Sequence, residues 1–106
     1  MTLRYEVARD RTHAAVALHG ELDILAAPEL RHVLGDVLDE GATEVVLDVG
    51  DLEFMDSSGL GVLVGCHRRL ARHGGRLRIV GAHHSVARVL AVTGLDRVFQ
   101  VEAAEA

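Results

Sequence analysis

Four neighbouring residues, Asp56-Ser57-Ser58-Gly59, stand between an apolar approach and a glycine-spaced apolar run. Hydroxyl and carboxylate groups in this arrangement suit three kinds of chemistry: attack by a serine nucleophile, binding of a phosphate group, and covalent phosphorylation of a serine. They also suit a structural task, because a serine or aspartate oxygen can accept a hydrogen bond from the free N–H groups at a helix start. One capping residue, Asp56 or Ser57, is enough for that task. The cap alone therefore does not explain two serines and a glycine.

The first two kinds of chemistry need residues that the chain lacks. A serine hydrolase elbow centred on Ser58 needs a glycine where this chain has Asp56, and no later histidine is placed as its base. Gly59, Gly61 and Gly65 depart from the dinucleotide spacing, and the chain has no lysine for a P-loop. Gly61 and Gly65 instead predict a smooth helix face for close packing. We expect no catalytic residue, with a small serine hydrolase or nucleotide-binding enzyme as the disfavoured alternative.

Covalent phosphorylation is the third kind of chemistry, with Ser57 or Ser58 presented to a kinase at an exposed turn. A phosphate adds a charge of about −1.5 to −2 beside Asp56, and the helix N-terminus offsets part of it. Against a docked partner, two like charges about 5 Å apart at an effective dielectric constant near 20 repel by about 3 kcal/mol. Half of that repulsion is about a tenfold loss of affinity. The turn therefore predicts a switch of binding with little change of fold.

Hydrophobic periodicity indicates the elements that position this turn. Alternation predicts a hairpin of two strands, the first of them half exposed around residues 3–7. Helical spacing predicts a helix from Pro28 to Gly41, and the β-branched run 44–49 predicts a central strand covered on both faces. A second helix is predicted from Ser57 to about residue 73.

The remaining sequence predicts three more elements. These are a strand at residues 76–81, a short helix capped by Ser85 that ends at Thr93 and Gly94, and a last strand at residues 97–101. The order ββαβαβαβ predicts an α/β fold with a mixed β-sheet and helices packed against it. We expect a single domain over residues 1–106.

Composition narrows the function classes. A chain of 106 residues with 49% hydrophobic residues can bury a core, and its lone Cys66 predicts a buried, reduced thiol. The net charge is −5 and the eleven basic side chains are scattered arginines, so we expect no direct nucleic-acid binding. No apolar stretch reaches a membrane span of about 18 residues, which predicts a cytoplasmic protein without membrane insertion. The adjacent His83 and His84 lack further ligands at metal-binding spacing, so no metal site is expected.

Three segments resemble the STAS domains of bacterial anti-sigma factor antagonists. "GELDILAAPELR" is similar to that family's strand-to-helix segment, "LEFMDSSGLGVLV" to its phosphorylation turn, and "VARVLAVTGLDRVF" to its last helix and strand. The resemblance runs through nearly the whole chain and implies a STAS-like fold and a non-enzymatic regulator without a cofactor. In that family the unphosphorylated antagonist binds an anti-sigma factor that is also a serine kinase, and so frees the sigma factor. Phosphorylation switches binding off, and a partner phosphatase reverses it.

The resemblance also implies roles for individual residues. Ser57 corresponds to the serine that the kinase phosphorylates, and Asp23 to a family residue beside it. Ala26 stands where family members often have a threonine or serine that caps the first helix, so Pro28 has to begin this helix without that oxygen. The partner-contact surface corresponds to Asp23, Asp56, Ser58, Gly59 and Leu60.

One alternative keeps the fold and changes the task. The chain would then be a constitutive STAS scaffold or subunit in a stress-sensing or transporter-associated assembly. Whether Ser57 is ever phosphorylated discriminates the two functions. The sequence leaves open whether the chain also pairs with itself as a homodimer.

Overall fold

A computed structural model describes residues 3–103, which form one five-stranded sheet with helices packed against it. The sheet order is β1-β2-β3-β4-β5, with β1 antiparallel to β2 and the other neighbours parallel. This confirms the predicted α/β fold and mixed sheet. The elements are β1 (Arg4–Asp10), β2 (His13–Leu22), α1 (Ala27–Asp39), β3 (Glu44–Met55), α2 (Ser57–Arg72), β4 (Arg76–Ala82), α3 (His84–Val92), a 3₁₀ helix (Leu95–Arg97) and β5 (Gln100–Ala103).

The helices cover one face of the sheet. In β2 and in the first half of β3 every second residue is buried, among them Val16 and Leu47 at 0% exposure. The residues between them face solvent: Val46 is half-buried and Asp48 is exposed. The prediction that the strand at 44–49 is covered on both faces is therefore wrong. Successive side chains of a strand point to opposite faces, and an apolar residue such as Val46 on the open face hides this alternation in the sequence.

Strand β1 forms an outer edge of the sheet, and all seven of its residues are exposed. Tyr5 and Val7 lie opposite Leu18 and Val16 of β2, which are buried, so they share the helix-covered face. They are nevertheless 43% and 41% exposed, because the helix layer does not extend over β1. The predicted strand and its hairpin with β2 are confirmed, but the expected burial of one face of β1 is wrong.

Helix α1 begins at Ala27 with Pro28 in its first turn, and its C-cap Glu40 precedes Gly41 at φ +103°, which confirms the predicted helix. Helix α2 runs beside α1, but the predicted close packing of its glycines is wrong. A Cβ atom added at Gly61 or Gly65 would meet nothing within 4 Å. With Gly35 of α1 these glycines line a groove of about 300 Å³ between the two helices.

Strand β3 continues to Met55, beyond the predicted end at residue 49. Its pairing with β4 stops at Asp48, opposite Val80, whereas its pairing with β2 continues to Leu22, opposite Met55. The second half of β3 thus has β2 as its only paired strand within the described residues. This extension places the end of β3 directly before α2.

The C-terminal third differs from the prediction at two places. His83, in extended conformation, precedes α3 as the N-cap, and the Ser85 hydroxyl donates to the Glu53 carbonyl at 3.3 Å. Ser85 therefore joins α3 to β3, and the prediction that it caps the helix is wrong. The last strand begins at Gln100 because Gly94, at φ +75°, leads the chain into a 3₁₀ turn first.

Candidate functional site

Ser57 is the first residue of α2, directly after the extended residue Asp56. The Oδ1 atom of Asp56 accepts a hydrogen bond from the Ser58 N–H at 2.9 Å. Asp56 is therefore the capping residue of the two that the sequence offered. Ser57 is exposed, and its hydroxyl makes no hydrogen bond within residues 3–103. The structure thus leaves this hydroxyl accessible and without a structural task.

The electrostatic surroundings of Ser57 contain opposing contributions. Free N–H groups at the start of a helix carry a partial positive charge that stabilises an anion. The first turn of α2 itself contains no aspartate or glutamate. The nearest carboxylate along the chain is the Asp56 cap. A phosphate on Ser57 would therefore face the helix N-terminus and repel the Asp56 carboxylate.

Asp23 organises the loop between β2 and α1. Its Oδ1 atom accepts hydrogen bonds from the N–H groups of Leu25 and Ala26, at 3.1 and 3.0 Å. Its carbonyl oxygen accepts from the N–H groups of Ala26 and Ala27, at 3.1 and 2.9 Å. Asp23 thus supplies the acceptor that Ala26 lacks at the start of α1. Its contacts within the described chain are those of a turn-forming residue.

The loop and the turn lie side by side. The Asp56 N–H donates to the Leu22 carbonyl at 3.3 Å, and Leu22 pairs with Met55 in the sheet. A Cβ atom on Gly59 would come within 2.6 Å of the Leu22 Cδ2 atom, so the first turn of α2 packs on the residue that precedes Asp23. The structure therefore brings Asp23, Asp56 and Ser57 together where strands β2 and β3 end.

The expected contact residues differ in their accessibility. Ser58 is half-buried, whereas Gly59 and Leu60 are buried. Gly59 has room for no side chain beside Leu22, and Leu60 is 7% exposed. Gly59 and Leu60 hold the backbone of the turn against the core, and Asp56, Ser57 and Ser58 present its polar groups.

Ile24 and Leu25 form an exposed apolar pair that the sequence reasoning missed. They are 70% and 86% exposed, although the hydrogen bonds to Asp23 fix the backbone between them and α1. Two consecutive large apolar residues in a loop that starts with Asp and ends before Pro28 were the available signal. A fixed loop that holds such side chains in solvent is typical of a protein contact surface.

Cys66 lies on the buried face of α2. Burial raises the pKa of the Cys66 thiol to about 11, with the nearby Arg69 charge opposing part of the rise. The predicted buried thiol is confirmed, since Cys66 is 5% exposed.

Within residues 3–103, no cluster of three or more histidine, cysteine or acidic side chains could hold a metal ion. No helix in that part of the chain is long and apolar enough to cross a membrane.

Comparisons with known proteins agree with this arrangement. The model of the STAS domain family matches residues 4–106. The anti-sigma-B factor antagonist of Bacillus subtilis (strain 168) is 30% identical over 103 residues, covering 97% of this chain and 94% of the relative. That of Staphylococcus epidermidis is 33% identical over 101 residues, covering 95% and 94%.

Solved structures show the same fold. An anti-sigma factor antagonist from Mycobacterium paratuberculosis superposes with a TM-score of 0.86 at 27% identity, over 94% of this chain and 85% of that chain. The Bacillus cell fate determinant SpoIIAA in the phosphorylated form superposes with a TM-score of 0.76 at 26% identity, over 96% and 93%. A protein of this fold thus exists in a phosphorylated form.

Proposed function

Because the chain belongs to the STAS domain family and to its anti-sigma factor antagonists, we propose that it binds an anti-sigma factor that is also a serine kinase. The unphosphorylated chain occupies the anti-sigma factor and frees the sigma factor for transcription. Phosphorylation of Ser57 ends this binding, and a serine phosphatase restores it. All of these steps take place in the cytoplasm. The chain needs no cofactor of its own, because the kinase supplies ATP.

The observation that carries the proposal is the position of Ser57. Its hydroxyl is exposed, begins a helix and is not used as the cap, because Asp56 has that task. In the transfer, the Ser57 oxygen forms a bond to the γ-phosphorus of ATP, the bond from that phosphorus to the β–γ bridging oxygen breaks, and ADP leaves. The hydroxyl proton passes to a base of the kinase. A hydroxyl that capped the helix would first have to break its hydrogen bond to the backbone N–H before it could react.

Charge explains why the product dissociates. The kinase has to place the nucleotide phosphates next to Ser57 for the transfer, so the new phosphoserine faces like charges in the complex. Each pair of like charges about 5 Å apart costs about 3 kcal/mol at an effective dielectric constant near 20. Within the free chain, the N-terminus of α2 offsets part of the new charge. The modification therefore weakens the complex much more than the fold.

We assign the partner-contact surface to the ends of β2 and β3, where this turn lies. Asp56 and Ser58 present polar groups beside Ser57, and Asp23 fixes the neighbouring loop. Gly59 and Leu60 contribute through the backbone that they hold in place, because both are buried. The residues of this surface are Asp23, Asp56, Ser58, Gly59 and Leu60.

The experiment that tests the proposal compares Ser57→Ala, Ser57→Asp and Ser58→Ala with the wild type. Each is incubated with the anti-sigma kinases of the same cell, purified singly, with and without ATP. Intact mass and binding affinity are measured. We expect Ser57→Ala to bind without being modified, Ser57→Asp to bind at least about tenfold more weakly, and Ser58→Ala to be modified at Ser57. If Ser57→Asp binds as tightly as the wild type, charge is not the switch, and the constitutive scaffold is the better description.

A further inference from the structure

Strand β1 combines an open edge with an unusual distribution of charges. An edge strand carries a row of unpaired N–H and C=O groups that can pair with another chain. Every residue of β1 is exposed, and Tyr5 and Val7 show 43% and 41% of their surface. Charged residues commonly protect such an edge from pairing. The signs of the charges in β1 decide which pairing they prevent and which they allow.

The central and the terminal charges of β1 differ in their contacts. Glu6 accepts a hydrogen bond from His19 at 3.0 Å, and Arg9 forms an ion pair with Glu40, the C-cap of α1. Arg4 at one end of the strand and Asp10 at the other form no ion pair within residues 3–103. Both are exposed. The strand therefore ends in two opposite charges for which residues 3–103 supply no ion-pair partner.

We propose that β1 pairs antiparallel with β1 of a second copy, about a two-fold axis at Val7. In this register Val7 lies opposite Val7, and Arg4 lies opposite Asp10 at both ends of the ladder. The two charges of β1 that form no ion pair within the described residues are thus the two that meet. Tyr5 comes opposite Arg9, whose aliphatic stem can cover the ring. The pairing joins the two five-stranded sheets into one sheet of ten strands.

The neighbouring registers are worse on the same grounds. A shift that centres the ladder on Glu6 opposes Glu6 to Glu6. A shift that centres it on Ala8 opposes Glu6 to Asp10. A ladder centred between two residues, with Glu6 opposite Val7 for example, turns the side chains of one copy to the other face of the joined sheet. Tyr5 and Val7 are then separated from their counterparts. The charges of β1 thus select one antiparallel pairing.

A charge-exchange experiment tests this pairing. Sedimentation equilibrium on the wild type is expected to give a concentration-dependent dimer of twice the 11.4 kDa chain mass. Arg4→Asp alone opposes aspartates at both ends, and Asp10→Arg alone opposes arginines. Each variant is expected to raise the dimer dissociation constant at least tenfold. An equimolar mixture of the two variants opposes aspartate to arginine at both ends, and a heterodimer about as tight as the wild-type dimer is expected.

Two further variants keep the proposal falsifiable where a charge exchange disturbs folding. Val7→Arg brings like charges together at the two-fold axis, and Val92→Arg places the same side chain at a site on α3 that is 77% exposed. Val7→Arg is expected to give a monomer and Val92→Arg to leave the dimer unchanged, with circular dichroism as the check on folding. A wild type that stays monomeric at every attainable concentration overturns the proposal. So does a mixture of Arg4→Asp and Asp10→Arg that associates no better than either variant alone.

Discussion

Gly59 and Gly61 stand two residues apart in α2 and meet opposite surroundings. A Cβ atom at Gly59 would lie 2.6 Å from two atoms of Leu22 and 3.1 Å from Met55, whereas one at Gly61 would meet nothing within 4 Å. The two glycines therefore have unrelated structural roles. Gly59 allows the helix to approach β2, and Gly61 leaves a groove open beside α1.

This contrast predicts opposite effects of the same substitution. Gly59→Ala forces Leu22 to move and is expected to lower the free energy of unfolding by about 1 to 3 kcal/mol. Gly61→Ala is expected to raise it by about 0.5 to 1 kcal/mol, because alanine is the better helix former and the position has room. Urea denaturation of both variants beside the wild type measures the two values. Equal effects of the two substitutions would contradict the packing at Gly59.

At the scale of elements, the loop between β2 and α1 combines a fixed backbone with exposed apolar side chains. Asp23 accepts hydrogen bonds from two N–H groups of the loop, and Ile24 and Leu25 stay in solvent. The Leu22 carbonyl at the start of this loop accepts a hydrogen bond from the Asp56 N–H. Ile24 follows two residues later, so it lies within about 8 Å of Leu22. The apolar pair therefore borders the turn that carries Ser57.

We expect Leu25→Asn to weaken binding of the anti-sigma kinase at least about tenfold, because a leucine side chain buried in an interface contributes about 1.5 to 3 kcal/mol. Its thermal stability is expected to stay near the wild-type value, since Leu25 is 86% exposed. Val92→Asn is the matched control, because Val92 is 77% exposed at the far end of α3. Isothermal titration with the purified kinase measures the three affinities. A Leu25→Asn variant that binds as tightly as the Val92→Asn control would exclude this loop from the interface.

The elements were predictable where one physical rule decided them. The spacing of Leu30, Val33 and Val37 and the nearby Pro28 and Gly41 were enough for α1. The rule failed where distant contacts decide: Ser85 looked like a cap, but the backbone at His83 already begins α3. At the site, the sequence places Asp56 and Ser57 in the turn, but only the three-dimensional structure distinguishes the residue that caps α2 from the one whose hydroxyl stays free. Spacing alone also cannot tell a glycine in contact from a glycine beside a groove.

At the scale of the whole molecule, one covered face and one open face determine how the sheet meets its surroundings. The open face carries charges that pair across strands: His19 of β2 contacts Glu6 of β1 at 3.0 Å and Asp51 of β3 at 3.1 Å. These contacts lie near the surface and contribute little to stability one by one. The covered face supplies most of the burial, with Leu18, Leu47 and other side chains at 1% exposure or less.

The stability of the whole molecule is expected to fall in alkali through the one buried thiol. The pKa of Cys66 is about 11 in the folded chain, above its ordinary value, so between about pH 9 and pH 11 the unfolded thiol loses its proton first. The unfolded state then binds fewer protons than the folded state, and the free energy of unfolding decreases with pH, by an amount on the order of 2 to 3 kcal/mol.

Denaturation of the wild type and of Cys66→Ala across this pH range measures the effect. The alanine variant is less stable at neutral pH because it leaves a cavity, so the two slopes are compared and not the two values. The two proteins share every other side chain, so a difference between the two slopes reports on the Cys66 thiol. Parallel slopes for the two proteins would show that the thiol is not responsible.

The position of β1 at the outer edge of the sheet has a consequence for valency. If two copies join antiparallel through β1, the two-fold axis reverses the second copy, so the parallel strands β2 and β3 of the two copies run in opposite directions. The two Ser57 hydroxyls then lie at opposite margins of the ten-stranded sheet. One kinase molecule could not reach both serines at once, and a kinase that is itself a dimer would link successive antagonist pairs into a chain of alternating components.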